Sequence, residues 1–227
     1  ALGVDALTLG NHEFDNGTTA LQAMLEPARF PVVSTNIVAA ETLPVRPFAR
    51  FDLDGVRITV IGVTTQDLAK VVLPSRNPGL RAAPVVSSVR PWVDRLRGGA
   101  DLLVVLSHCG LESDSVLAVS VPGIDVIVGG HDHEALHSPR RIPNDNGNGI
   151  EGTLLVEAGS RGEWLGRLDL RMDGRRIAAW QGSLIPIGPE RSPSDPEVAG
   201  IVARYAERLG PELADTTHDG GLRWAVG

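Results

Sequence analysis

LGNHEFDNG, residues 9–17, closes the short apolar run Ala6-Leu7-Thr8-Leu9 with an amide, an imidazole and two carboxylates within five positions: Asn11, His12, Glu13 and Asp15. A brief apolar segment that ends at glycine reads as a buried strand, Asp5–Leu9, with a loop behind it. Two other segments repeat the pattern. Asp101–Leu106 (DLLVVL) runs into Ser107-His108-Cys109-Gly110, and Asp125–Val128 (DVIV) runs into Gly129-Gly130-His131-Asp132-His133-Glu134. Four of the six histidines fall in these three loops. In open α/β sheets the loops at the carboxyl ends of strands converge on one crevice, so the three units predict a single composite site in an α/β fold.

Around them the pattern alternates. A helix is expected over Thr18–Leu25, a strand over Phe30–Ile37, and a hairpin of Phe48–Leu53 and Val56–Val63 turning at Asp54-Gly55. Helical spacing over Val86–Leu96 stops at Gly98-Gly99. Beyond Arg140, Thr153–Glu157, Gly166–Met172 and Arg176–Ile187 read as antiparallel strands, with a turn at Asp173-Gly174, so the sheets are expected to be mixed. Pro186–Pro196 reads as a linker. Asp195 is the expected N-cap of a helix that starts at Pro196 and ends at Leu209. The division expected is a domain over residues 1–187 and a linker with its helix over 188–227.

The chain has 227 residues, 42% hydrophobic and 22% charged, enough for a sizeable core. A net charge of −7 and a pI near 5.3 argue against a nucleic-acid polymer as partner. No apolar run approaches the ~18–20 residues that span a bilayer. A single cysteine, Cys109, excludes an internal disulfide. Nothing in the sequence sets an oligomeric state.

The residue types in the three loops suit a divalent metal. Neutral imidazoles and a side-chain carbonyl ligate Zn²⁺, Mn²⁺, Fe²⁺ or Co²⁺, and nearby carboxylates orient such ligands. His131 and His133, two apart, share a side if their segment is extended. Each piece also has a plain structural reading, weakest for His-Asp-His after Gly-Gly; together they favour a metal site. Ser107-His108-Cys109 is a poor nucleophile arrangement, because neighbours on a strand face opposite ways, and Cys109 reads as a small buried residue. The loop Asn144–Gly149 (NDNGNG) lacks the acidic twelfth ligand of a calcium loop, since Leu155 stands there; it reads as a hairpin tip.

GNHEFD, SHCG and GGHDH, in this order and each after a strand, resemble motifs of the calcineurin-like metallophosphoesterases. GNHEFDNG, the approach ALGVDALT and the later GRLDL point to the 5′-nucleotidase branch. The resemblance covers residues 1 to about 209 and implies a layered α/β/β/α sandwich with mixed sheets, incomplete at the N-terminus. It implies hydrolysis of nucleotide phosphoesters by hydroxide from two divalent ions (Zn, Mn, Fe, Co or Ca). Asn11, His108 and His131 are the implied ligands of one ion and His133 of the other. His12 is the implied catalytic acid, oriented by Asp15, while Glu13 is left to the hydrogen bonds of its own loop. The family's opening Asp-x-His and Gly-Asp motifs have no counterpart ahead of Asn11. A catalytic domain without those ligands, and without a C-terminal substrate domain, is therefore expected. A periplasmic, secreted or cell-surface location is implied in the same way. The alternatives are a thiosulfohydrolase or cyclic phosphodiesterase relative of the same fold, or an inactive metal-binding fragment.

Overall fold

The computed structural model describes residues 3–39, 42–188 and 190–209. Its strands and helices begin with β1 (Leu7–Thr8), α1 (Thr18–Leu25), β2 (Val32–Val33), β3 (Ile37–Val38), β4 (Phe48–Leu53), β5 (Val56–Thr64), α2 (Leu68–Val71) and β6 (Arg81–Ala82). They continue with α3 (Val85–Leu96), β7 (Leu102–His108), α4 (Leu111–Ser120), β8 (Val126–Val128), β9 (Arg140–Pro143), β10 (Gly152–Val156), β11 (Trp164–Asp173), β12 (Arg176–Pro186) and α5 (Pro196–Leu209).

The apolar runs of β5, β7, β8 and β10 lie side by side and parallel, flanked by antiparallel β4 and β9, in a mixed six-stranded sheet of order β4-β5-β7-β8-β10-β9. Alternation along each strand sends residues to two faces. On one face Ile61, Leu103, Val105, Ile127 and Leu155 bury against Val89, Val93 and Leu96 of α3 and Leu117 of α4. On the other, Leu102, Val126 and Leu154 pack on Ile177, Leu168 and Leu170 of the β11–β12 hairpin, and Val60 and Ala49 pack on Val33 of the parallel β1–β2 pair. Helix α1 closes the far side of β1–β2 through Leu21 and Leu25, which share a core with Leu9, Phe14 and Val32. The layering is thus α/β/β/α. Each fully buried Leu or Phe in these cores contributes about 1.5–3 kcal/mol by leaving water.

Two expectations change. Phe30–Ile37 is not one strand: β2 pairs with β1, whereas β3 pairs with β6 in a separate two-stranded sheet. The chain breaks between them because Thr35 donates its N–H to the Gly62 carbonyl (2.9 Å), laying the backbone over β5 where Gly62 has no side chain; a Cβ there would collide with the Val33 carbonyl. Thr153–Glu157 is antiparallel only to β9; on its other edge β10 runs parallel to β8.

Val4–Ile187 forms one compact unit, and α5 belongs to a second. Asp195 caps α5 as expected, its Oδ1 accepting the N–H groups of Glu197 (2.9 Å) and Val198 (3.0 Å). Among the described residues no helix is long and apolar enough to cross a membrane.

Candidate functional site

Each loop enters the site from the carboxyl end of a strand. His108 is the last residue of β7, Asn11 follows β1, and His131 follows β8. Asn11 is 7% exposed, and its Oδ1 lies 3.0 Å from His108 Nε2. Gly10 makes this approach possible. A Cβ on it would stand 2.8 Å from both Cε1 and Nε2 of His108. The imidazole of His131 meets that of His108 edge-on, with centroids 5.0 Å apart. Burial, and then the neighbouring imidazoles of His131, His12 and His133, hold the His108 pKa down to about 4, so its ring is neutral at pH 7. Glu13 serves its own loop by accepting the Gly10 N–H (2.6 Å).

The His131–His133 segment is not extended. Both histidines are in the left-handed region, with φ of 97° and 63°, a conformation that costs a non-glycine residue on the order of 1–3 kcal/mol. The surroundings hold it there. Gly110 donates its N–H to the Gly130 carbonyl (3.0 Å), and Leu111 donates its N–H to Asp132 Oδ2 (2.7 Å). On the other flank Glu157 Oε1 accepts the Glu134 N–H (3.1 Å), and the Glu157 carbonyl accepts the Leu136 N–H (3.0 Å).

Behind the turn lie two buried carboxyls, Asp114 (0% exposed) and Glu157 (3% exposed). Ser107 donates its hydroxyl to Asp114 Oδ1 at 2.5 Å. Asp114 Oδ2 and Glu157 Oε2 have no hydrogen-bond partner, and both face the bare side of Gly129, 2.8 and 3.4 Å from where its Cβ would be. Burial pushes Asp114 up to about 7, and raises Glu157 as well.

His12 and Asp15 are arranged differently. His12 Nδ1 and Asp15 Oδ2 are 3.0 Å apart, with side chains 69% and 53% exposed. Their loop is pinned beneath by the fully buried Phe14, by Asn77 Nδ2 donating to the Phe14 carbonyl (2.8 Å) and by Arg76 Nη1 donating to the Asp15 carbonyl (2.8 Å). Cys109 is buried, its thiol pushed up to about 12 by burial, as suits a packing residue. The Asn144–Gly149 tip is structural too: Asn144, Asn146 and Asn148 donate side-chain N–H groups inward, to Ala118, Ile124 and Asp125.

The structure thus brings Asn11, His108 and His131 together, puts His133 and His12 within electrostatic reach of His108, and pairs His12 with Asp15. Among the described residues no three His, Cys, Asp or Glu side chains gather as a ready cage, so a metal at this point depends on the Asn11 amide. The donors present fit a divalent ion. Two ligands about 90° apart in an octahedral shell of about 2.1 Å stand about 3 Å apart, and the Asn11–His108 spacing is 3.0 Å. Asp114, Asp132, Glu157, Arg76 and Asn77 support the site, yet the sequence did not single them out as site residues. Only Asp132, lodged between two histidines, carried a local hint.

Residues 2–135 match the family model described as calcineurin-like phosphoesterase. A 5′-nucleotidase of Diplobatis ommata is 31% identical over 227 residues, covering 92% of this chain but only 39% of that protein. A 5′-nucleotidase precursor from Thermus thermophilus superposes with a TM-score of 0.80 at 31% identity, over 90% of this chain and 43% of the other. The sulfate thiohydrolase SoxB of Thermus thermophilus also gives 0.80, at 26% identity over 91% of this chain and 37% of its own.

Proposed function

We propose, because the chain belongs to the calcineurin-like phosphoesterase family, that its site serves metal-dependent hydrolysis of a nucleotide phosphoester of the 5′-nucleotidase type. One observation carries this: a neutral His108 within 3.0 Å of Asn11 and edge-on to His131, beside an exposed His12–Asp15 pair. Asn11, His108 and His131 would hold one divalent ion and His133 would reach a second. Bound there, the ions would draw charge from the phosphoryl oxygens and activate a water for in-line attack.

The chain's own residues supply the rest. His108 offers a lone pair because burial keeps its ring unprotonated. His12 has Nδ1 directed at Asp15, which fixes the ring and leaves Nε2 free to donate a proton. As the phosphorus–oxygen ester bond breaks, that proton passes to the departing alkoxide, which leaves as the nucleoside hydroxyl. Exposure of both side chains suits a group that must meet a substrate arriving from solvent. A location outside the cytoplasm goes with the same reading.

Hydrolysis of a sulfur ester is the second reading, favoured by the equal superposition on the thiohydrolase; the lower identity of that neighbour, 26% against 31%, puts it behind. The test is phosphate release from a nucleoside 5′-monophosphate in Mn²⁺, for wild type and His12→Ala. The variant is expected to lose about 10²–10⁴-fold in rate while its Mn²⁺ affinity stays that of wild type. Parallel loss of Mn²⁺ would remove His12 from the acid role, and release of sulfate from an S-sulfonated thiol (R–S–SO3⁻, water taking the SO3 group and leaving the thiol) but no phosphate would favour the second reading.

A further inference from the structure

We infer that Asp132, the residue between the two histidines, is a positioning residue that fastens the His131–His133 turn to the loop carrying His108. The inference rests on the metal reading above. Its carboxylate takes the Leu111 N–H at 2.7 Å, across 21 residues of sequence, at the start of α4. Leu111 is only three residues past His108, so this one side chain ties the backbones of both histidine loops. The junction is fitted to it. Gly110 has φ 87°, and a Cβ at that position would run into the Asp132 carboxyl oxygens. A second tie lies alongside, the Gly110 N–H to the Gly130 carbonyl.

The turn needs such ties because left-handed backbone at two non-glycine residues does not hold itself. Glu157 grips its far end through the Glu134 N–H, so Asp132 is the side-chain grip on the near end. Released there, His131 loses its fixed approach to His108, and ligands whose supports are removed bind metal less tightly.

A bare helix cap would stabilise α4 without touching metal affinity, which separates the two roles. Mn²⁺ titration calorimetry and thermal unfolding would be run on wild type, Asp132→Ala, Asp132→Asn and His131→Ala. Asp132→Ala is expected to weaken Mn²⁺ binding by about 10–100-fold. Asp132→Asn keeps an acceptor for the Leu111 N–H and should recover most of that loss. Amide exchange at Gly110 should quicken in the alanine variant alone. Wild-type Mn²⁺ affinity in Asp132→Ala, with binding lost in His131→Ala, overturns the positioning role and leaves the metal reading standing. If wild type takes up no Mn²⁺, or His131→Ala binds as wild type does, the metal reading fails and the inference falls with it.

Discussion

His108 and His12 are both imidazoles on loops that meet, yet their settings differ at almost every level. His108 ends a strand in the middle of the main sheet, with Ser107 bound to a buried Asp114 just before it and Gly110 tied to Gly130 just after. His12 sits on a short 3-10 turn with 69% of its side chain in solvent and one partner, Asp15, itself more than half exposed. In the proposed reading, the group that would hold a metal in fixed geometry is surrounded by groups that fix it. The group that would hand a proton to a substrate is left open, and only its backbone is anchored. Substitution on the first side should therefore register in stability and pH dependence, and on the second mainly in chemistry.

Asp114→Asn tests the buried side hardest. Burial holds the wild-type pKa at about 7 against an ordinary 3.8. A raised folded-state pKa means that the stability it contributes is complete below pH 3.8 and is lost as pH rises through about 7. At 1.36 kcal/mol per unit, the loss between pH 4 and pH 8 is up to about 4 kcal/mol. An asparagine can still accept the Ser107 hydroxyl and can offer N–H toward the unpartnered Glu157 Oε2, with nothing to ionise. Denaturant unfolding at pH 5 and pH 8 should show the wild type falling steeply and the variant, in which Glu157 alone of the two carboxyls still has its pKa raised by burial, falling less. Equal slopes for both would mean that ionisation of Asp114 does not set this pH dependence.

Gly129→Ala sharpens the same side with a smaller effect. The added methyl would stand 2.8 Å from Asp114 Oδ2 and 3.4 Å from Glu157 Oε2, wedging a rigid strand end against two buried carboxyls. Overpacking of this kind costs about 1–3 kcal/mol, read as a drop in the unfolding midpoint. An unchanged midpoint would show that the carboxyl pair gives way easily and that the turn is less firmly held than His108 requires.

The same contrast explains what could be read from the sequence. The strands of the main sheet were legible because burial on both faces writes continuous apolar runs such as DLLVVL and DVIV. The three loops were legible because His and Asn after such runs have few structural reasons to recur together. Helix α4 went unread: Val116 and Val119 are 52% and 61% exposed while Asp114 is wholly buried, so no apolar face repeats at helical spacing. The break between β2 and β3 was hidden because it depends on Gly62, about thirty residues further on. The left-handed turn at His131 and His133 was hidden for a similar reason, since contacts from Leu111 and Glu157 impose it against local preference. Asp114 and Glu157 gave no local sign because what sets them apart, burial beside the bare side of Gly129, exists only in the fold.

On the open side, Asp15→Ala should have the smallest effect on stability. The His12–Asp15 pair is close, at 3.0 Å, but both partners are in water, where such pairs contribute about 0–1 kcal/mol. Phe14, Asn77 and Arg76 hold the loop through its backbone and would not notice the missing carboxylate. The unfolding midpoint should therefore stay within about 1 kcal/mol of wild type. If orienting the ring is all that Asp15 does in this exposed state, its removal can slow phosphate release only by the factor equivalent to that same energy, about fivefold. A hundredfold fall in rate with an unmoved midpoint would require the pair to work out of water, with bound substrate closing the solvent away from His12. In that case the contrast between the buried and open sides would belong to the free protein alone.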